Sequence, residues 1–183
     1  MSISKPKQNW YAIYVRSRAE KKVHAALLED SIEAFLPLQK KMRQWKDRRK
    51  LVDMPLINGY IFVHITSKDH DKVLQHNNVV CYVRFNGRAA IISPKDIDLL
   101  KRMTGQSEYD VETTIEQLKP GQKVEVIAGP LCGIKGEMIA YRGKNKIALR
   151  IPPLGYTILI DAPQKTVVPI NGKKETKQLQ MVE

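Results

Sequence analysis

The chain has 183 residues, 43% of them hydrophobic, and a formal net charge of +12, so it can bury one core or two small ones. No apolar run reaches membrane-spanning length and no apolar segment follows the first residues, so we expect a cytoplasmic protein without a membrane span or a signal peptide. Cys81 and Cys132 lie far apart in apolar stretches, which predicts two reduced thiols in the core.

The first thirty residues predict a strand followed by a helix. Residues 10–15 (WYAIYV) are aromatic and β-branched, as is typical of a buried strand. Ser17 and Glu20 then fit a capping box, in which each side chain accepts a hydrogen bond from the other residue's backbone N–H. The helix that follows turns Val23 and Leu27 inward and basic side chains outward. This basic outer surface consists of Arg16, Arg18, Lys21 and Lys22.

A second strand, residues 32–38, leads into the most basic part of the chain. Residues 40–50 (KKMRQWKDRRK) contain seven basic residues and one acidic residue, a net charge of +6, and predict the tip of a long hairpin. Such a patch attracts a polyanion through counterion release, and an aromatic ring within it can stack on a base. The alternative is a solvated hairpin without a partner. The candidate nucleic-acid-binding residues here are Arg43, Trp45, Lys46, Arg48 and Arg49.

The strongest strand signal covers residues 59–65 (GYIFVHI). Its alternation places Tyr60 and Phe62 on one face. Residues 67–77 predict a helix, and residues 79–85 (VVCYVRF) predict another strand.

A further helix begins at Ser93, which fits the N-cap position, with Pro94 in the first helical position and Gly105 as the end. Strands and helices therefore alternate in the first half of the chain. This order predicts an α+β domain in which helices pack against a sheet.

The chain changes character after Gly105. Residues 106–118 (QSEYDVETTIEQL) carry four acidic and no basic residues, lack periodicity and predict a flexible linker. Short strands separated by Gly and Pro follow and predict a small all-β barrel. These strands cover 122–127, 134–141, 145–151 and 155–160. The predicted organisation is a first domain at 8–105, the linker at 106–118, a second domain at 119–170 and a disordered tail at 171–183.

No motif for catalysis or metal binding assembles. The four histidines lack Cys or carboxylate partners at zinc spacing, and no nucleophile elbow is present. Gly133 and Gly136 form a G-x-x-G, but strands rather than helices flank it, unlike in a KH domain. We therefore expect no enzyme, no cofactor and no metal.

Three stretches together resemble the NusG family of transcription elongation factors. The first is residues 10–11 (WY) followed by 20–23 (EKKV). The second is residues 35–37 (FLP) followed, after the basic segment, by 55–63 (PLINGYIFV). The third is residues 120–136 (PGQKVEVIAGPLCGIKG), which resemble a KOW motif. The resemblance implies a NusG-type N-terminal domain, with a mostly antiparallel sheet flanked by helices, linked to a C-terminal SH3-like KOW barrel.

For the first domain, the resemblance implies an apolar hollow that binds the clamp helices of the largest subunit of RNA polymerase. The residues that match the hollow are Tyr14, Tyr60, Phe62 and Phe85. The alternative is that these aromatic side chains belong to the core. In RfaH-like relatives, the basic surface of the first helix touches the non-template DNA strand, so the resemblance implies weak backbone contacts there.

For the second domain, the resemblance implies recruitment of Rho or a small-subunit ribosomal protein by a monomeric factor. The residues that carry the KOW resemblance are Gly121, Val124, Val126, Gly129, Gly133 and Gly136. Val124 and Val126 are expected to face the barrel interior, and Gly136 to permit a tight return into the next strand. Prolines and glycines oppose refolding of this region into a helical hairpin.

Two loops, at 43–50 and 152–156, resemble the UpxY branch of operon-restricted antiterminators linked to capsular polysaccharide loci. Asn58 stands where general factors carry proline, which also favours a specialised relative. A ribosome-associated KOW protein that binds RNA is the alternative. Ribosomal KOW proteins lack the pattern between Trp10 and Phe62.

Overall fold

The structure is a computed structural model that describes residues 6–45, 47–104, 111–129, 131–161 and 166–170. Its helices and strands build one sheet from the first half of the chain, one from the second half, and two separate hairpins. In chain order the elements are β1 (Asn9–Val15), α1 (Glu20–Glu29), β2 (Glu33–Phe35), β3 (Leu38–Gln44), β4 (Arg49–Pro55), β5 (Tyr60–Ile65), α2 (His70–Leu74), β6 (Val79–Tyr82), β7 (Arg84–Phe85), β8 (Arg88–Ala89), β9 (Ile91–Ile92), α3 (Pro94–Thr104), β10 (Val111–Thr114), β11 (Gln122–Val126), β12 (Lys135–Tyr141), β13 (Lys144–Ile151), β14 (Tyr156–Ile160) and β15 (Val167–Pro169).

The N-terminal sheet has the strand order β2-β5-β1-β6, and β9 also pairs with β1. Its pairings are antiparallel, with Tyr14 opposite Tyr60 and Ala12 opposite Phe62. Side chains alternate between two buried clusters, so that Ile13 and Val15 pack with α1 and α2 while Trp10 and Ala12 pack with α3. The mixed α+β character predicted for this part of the chain is confirmed.

The capping box predicted at Ser17 and Glu20 is wrong. The N-cap of α1 is Ala19, and no side chain caps the helix. The carboxylate of Glu20 is buried and accepts a hydrogen bond of 2.9 Å from the backbone N–H of Gly59. Glu20 therefore ties α1 to the start of β5, and its long-range partner replaces the local one that the motif predicts.

The other helix start was predicted correctly. Ser93 precedes α3 and its hydroxyl accepts a hydrogen bond of 3.2 Å from the backbone N–H of Lys95. Gly105, the predicted end of this helix, lies outside the described residues. The predicted core positions of Cys81 and Cys132 are wrong, since both thiols are free and exposed. Cys81 lies on the edge strand β6 and Cys132 lies in a turn.

The C-terminal sheet has six antiparallel strands in the order β10-β14-β13-β12-β11-β15. Its four longer strands match the predicted ones closely, while β10 and β15 were not predicted. Among the described residues, no pairing joins β15 to β10, so these strands form the two edges. Val124 and Val126 are buried on the inner face, as predicted.

Two glycines of this sheet are required by close packing. A methyl group at Gly136 would lie 2.6 Å from Cγ2 of Ile147, and one at Gly121 would lie 2.0 Å from the carbonyl oxygen of Met138. Gly136 lies within β12, so close packing against β13 explains this glycine better than the predicted tight return. Gly129 and Gly133 have positive φ angles in the turn before β12, while Pro130 lies outside the described residues.

The acidic segment predicted as a flexible linker is partly strand. Residues 111–114 form β10, which pairs with β14 along its whole length. Further along, the carbonyl oxygens of Leu118 and Lys119 accept hydrogen bonds from Arg150. The prediction of aperiodic chain was therefore wrong for 111–114. Residues 105–110 and the predicted tail at 171–183 lie outside the described part of the chain.

Candidate functional site

Three tyrosines from two sheets make a continuous aromatic row, which we call the tyrosine row. Tyr14 and Tyr60 are cross-strand partners with ring centroids 5.6 Å apart, and Tyr156 contacts Tyr60 from the C-terminal sheet at 5.5 Å. Tyr14 is 41% exposed, whereas Tyr60 is half-buried. Burial, followed by the neighbouring Tyr156 and Tyr14, raises the pKa of the Tyr60 hydroxyl. The row is an apolar surface with hydroxyl groups, a composition common in protein interfaces.

The turn before β5 positions Tyr14. Gly59 has a φ of +78°, and a methyl group there would lie 2.8 Å from Cε2 of Tyr14. The carbonyl oxygen of Gly59 accepts a hydrogen bond of 2.8 Å from the N–H of Val15, while its N–H donates to Glu20. Only glycine fits this combination of backbone angle and close ring contact.

The other two predicted aromatic residues lie elsewhere. Phe62 has no exposed surface and packs against Phe35 with centroids 6.1 Å apart. A partner could touch Phe62 only if the residues that cover it moved, so its predicted direct contact is not supported in this conformation. Phe85 is exposed on the short β7–β8 hairpin, and no ring contact within the described chain joins it to the tyrosine row.

The C-terminal sheet lies against the face of the N-terminal sheet that carries Tyr60. Besides the contact between Tyr60 and Tyr156, the Arg102 guanidinium donates a hydrogen bond of 2.6 Å to the carbonyl oxygen of Cys132. The hydroxyl of Thr113 donates one of 3.2 Å to the carbonyl oxygen of Leu56. The two halves of the molecule therefore share an interface that includes one end of the tyrosine row, and one buried hydrophobic cluster contains residues of both halves.

The predicted basic hairpin is confirmed as a two-stranded ribbon of β3 and β4, which we call the basic ribbon. The backbone N–H of Trp45 donates a hydrogen bond of 2.8 Å to the carbonyl oxygen of Arg48 across its tip. Trp45 is largely exposed. Lys46 lies outside the described residues, and Arg48 and Arg49 are exposed near the tip.

The register of the ribbon gives its two faces different chemistry. Arg43 pairs with Lys50, and Lys41 lies two residues before Arg43 on the same face. The opposite face carries the exposed pair Met42 and Leu51. The first face therefore carries three basic residues and no acidic one, whereas the opposite face also carries Lys40, Arg49 and Asp53.

A cavity of about 340 Å³ joins this basic face to the start of α1. It has three cationic side chains, one carboxylate, an apolar lining and two polar side chains that can form hydrogen bonds. Its residues are Ser17, Arg18, Glu20, Lys21, Arg43, Met54, Pro55 and Asn58. Arg18, Lys21 and Arg43, predicted from two separate segments, thus line one site.

Some candidates stay outside the cavity, and some of its residues were missed. Arg16 and Lys22 are exposed but do not line it. Ser17, Met54 and Pro55 were not predicted to contribute, because the motifs that contain Ser17 and Pro55 do not indicate a binding site and no motif contains Met54. Only the pairing of β3 with β4 and the bond between Glu20 and Gly59 bring them together.

The described residues contain no cluster of three or more His, Cys, Asp or Glu side chains that could hold a metal ion. The same part of the chain has no helix long and apolar enough to cross a membrane.

Comparison with known proteins agrees with this fold. The family model described as "Transcription termination factor nusG" matches residues 8–101, more than half of the chain. The fold and this match define a protein of the transcription elongation factor kind. The chain belongs to the NusG family.

Solved structures give two further likenesses. One is described as "Domain interaction in Thermotoga maritima NusG", with 20% identity, a TM-score of 0.53, and coverage of 90% of this chain and 98% of that chain. This likeness shows a shared fold. A second, described as "Crystal Structure of MjSpt4:Spt5 complex conformation B", has 18% identity, a TM-score of 0.32, and coverage of 91% and 99%. A comparison with curated protein sequences finds no significant match.

Proposed function

We propose that this protein binds RNA polymerase at the clamp helices of the largest subunit, through the sheet face that carries Tyr14 and Tyr60. The observation that carries the proposal is the tyrosine row, a partly exposed aromatic surface on the sheet of a NusG-family domain. A few aromatic anchors at the centre of an interface supply much of the binding energy in protein complexes. Phe62 contributes by supporting this face from inside.

The second part of the proposal concerns the non-template DNA strand. The cavity places the charges of Arg18, Lys21 and Arg43 around an apolar lining, and Trp45 extends from the tip of the same ribbon. Cationic side chains fit the backbone of a single strand, and exposed aromatic rings fit its bases. We expect weak binding that depends strongly on salt.

The third part concerns the second half of the chain. The C-terminal sheet, with the KOW residues on β11 and β12, just before β11 and in the turn between the two strands, would act as an SH3-like barrel that recruits another protein, either Rho or a small-subunit ribosomal protein. The whole factor would suppress pausing and termination on a restricted set of operons, such as capsular polysaccharide loci. It acts by binding polymerase states with different affinities, without catalysis.

The contact between Tyr60 and Tyr156 adds a condition to this function. Tyr156 occupies part of the surface that polymerase would use, so the two contacts compete for Tyr60. A ligand that prefers the separated arrangement shifts the population towards it in proportion to its differential affinity. Binding to polymerase therefore requires the C-terminal sheet to leave the tyrosine row.

The polymerase contact is tested by measuring the binding of single variants to core RNA polymerase. Tyr60→Ala and Tyr14→Ala should weaken binding by at least about tenfold, as expected for interface anchors. Tyr156→Ala should strengthen it, because it removes a competitor for Tyr60. Phe85→Ala, an exposed aromatic residue away from the row, is the matched control. Loss of binding only in the Phe85 variant would move the interface to the short hairpin.

The nucleic-acid contact is tested with single-stranded DNA at several salt concentrations. Each lost phosphate contact should reduce the salt slope of binding by about 0.7. We expect this change for Arg18→Gln, Lys21→Gln and Arg43→Gln, but not for Lys68→Gln, an exposed lysine beside α2. Equal effects of all four changes would mean binding by net charge without a site. Co-purification with ribosomes and not with polymerase would favour the alternative of a ribosome-associated RNA-binding protein.

A further inference from the structure

The strand β10 comes from the acidic segment between the two halves of the chain and lies at the edge of the C-terminal sheet. Its four residues pair with β14, from Val111 opposite Ile160 to Thr114 opposite Thr157. Only six residues, 105–110, separate it from the end of α3. The pairing of β10 therefore decides how long the tether between α3 and the C-terminal sheet is.

A buried lysine holds β10 to this sheet. Lys146 lies on β13, is 4% exposed, and its ammonium group is 3.3 Å from a carboxylate oxygen of Glu112 and 3.2 Å from one of Asp161. Glu112 belongs to β10, and Asp161 follows β14 directly. A buried ammonium group needs such partners, because removal of its charge from water is costly.

The ionisation of Lys146 agrees with this geometry. Burial alone would lower its pKa, but the contacts with Asp161 and Glu112 outweigh burial and leave the pKa raised. Lys146 is therefore charged at neutral pH, and its ammonium group holds Glu112 of β10 to the sheet. Loss of Glu112 or of Lys146 would leave the remaining charged groups without an opposite charge that offsets the cost of their burial.

Apart from this ion pair, β10 has few contacts that resist its removal. Val111 and Thr114 are buried, and the Thr113 hydroxyl donates a hydrogen bond to the carbonyl oxygen of Leu56. Being an edge strand of four residues, β10 has a ladder with one neighbour only. Short edge segments open locally at a lower free energy than central strands do. The sheet keeps its other five strands if β10 leaves.

The length of the tether changes markedly when β10 leaves. With β10 paired, six residues span at most about 20 Å. Without it, the stretch between the end of α3 and the carbonyl oxygens that stay bonded to Arg150, those of Leu118 and Lys119, covers residues 105–117. Thirteen residues span at most about 45 Å. The local concentration of the C-terminal sheet at the tyrosine row falls as about the −3/2 power of this length, which is about threefold.

We propose that β10 is a detachable strand, held by the ion pair of Lys146 with Glu112 and Asp161, whose release lengthens the tether and favours separation of the C-terminal sheet from the tyrosine row. With β10 paired, the tether is shorter and the edge of β14 is covered. With β10 released, the tether is longer and that edge is uncovered. This proposal concerns the tether alone, so it holds or fails whatever partner the tyrosine row binds.

Amide hydrogen exchange on the full-length chain tests the strand directly. In the unmodified protein, the amides of Val111 and Thr113 should exchange faster than those of β13, because β10 opens without unfolding the sheet. Lys146→Met should accelerate exchange in β10 by at least about tenfold while β12 and β13 remain protected. Lys144→Met, which changes an exposed lysine on the same strand, should have no such effect.

A second pair of variants keeps the test informative if Lys146→Met disturbs the sheet. Glu112→Lys should release β10, since it places two ammonium groups together. Glu29→Lys makes the same change in charge at an exposed residue of α1, and should leave β10 in place. Equal exchange in β10 and β13 of the unmodified protein, or equal effects of the two glutamate variants, would overturn the proposal.

The consequence for the tether is measured by energy transfer between dyes on α3 and on the C-terminal sheet. Glu112→Lys should broaden the distance distribution towards longer distances. A disulfide between cysteines introduced at Thr114 and Thr157, with Cys81 and Cys132 replaced by serine, should restore the narrow distribution, and a reductant should reverse this effect. If Glu112→Lys accelerated amide exchange in β10 but left the distribution of dye-to-dye distances unchanged, release of the strand would not lengthen the tether, and this part of the proposal would be overturned.

Discussion

The two faces of the N-terminal sheet differ although one alternating pattern produces both. The face towards α1 and α2 is closed, with Ile13 and Val63 buried against Val23 and Leu27. The other face is covered by α3 near Trp10 and by the C-terminal sheet at Tyr60, but leaves Tyr14 partly exposed. A strand pattern therefore selects which side chains share a face, whereas the helix that covers the face decides which of them stay available for a partner.

The largest expected effect on stability is on the closed face. Leu27→Ala removes a fully buried side chain from α1 and should lower the free energy of unfolding by about 2–5 kcal/mol. Urea denaturation measures this change. A loss of stability below about 1 kcal/mol would mean that neighbouring side chains fill the space left by Leu27. The two faces of the sheet would then differ less than their packing indicates.

The next largest effect on stability is expected at Gly59, in the turn before β5. Gly59→Ala forces a residue with a side chain into a positive φ and against Tyr14, and should cost about 1–2 kcal/mol. It should also displace Tyr14 and weaken polymerase binding. Gly87→Ala is a useful control, because its φ is also positive but a methyl group there meets nothing within 4 Å. If Gly87→Ala weakened polymerase binding as much as Gly59→Ala, the contact with the Tyr14 ring would be excluded as the cause.

A smaller loss of stability is expected where α3 covers the sheet near Trp10. Lys101 on α3 holds its ammonium group 5.2 Å from the ring centroid of Trp10. Trp10 in turn stacks on His64. Lys101→Met keeps the aliphatic stem but removes the charge, and should cost about 0.5–1 kcal/mol in urea denaturation. Lys95→Met, an exposed change on the same helix, should cost less, and equal losses would argue against the cation–π contact.

The smallest effect on stability is expected at Tyr14, which is partly exposed at the other end of the same face. Tyr14→Ala should change the free energy of unfolding by less than about 1 kcal/mol, because much of the ring already contacts solvent. The same variant should show one of the largest losses in polymerase binding. A large loss of stability in urea denaturation would assign Tyr14 to the core and remove it from the proposed interface.

Much of this architecture was predictable because local chemistry agrees with the final structure. The alternation in 59–65 placed Tyr60 and Phe62 on one face, and Ser93 marked the start of α3. The strands around Val124 and Val126 followed from glycine and proline positions and from alternating apolar residues. Errors occurred where a side chain found a distant partner, as Glu20 did at Gly59 and Glu112 did at Lys146.

The sequence alone determined the family, the longer strands of both sheets and the excess of positive charge, because these depend on residue types and spacing along the chain. Tertiary structure decided which aromatic residues stay exposed: Tyr14 remains partly open while Phe62 is buried. It also joined Arg18 to Arg43 in one cavity and drew part of the acidic segment into the C-terminal sheet. These outcomes depend on contacts between residues far apart in sequence, which spacing along one chain does not encode.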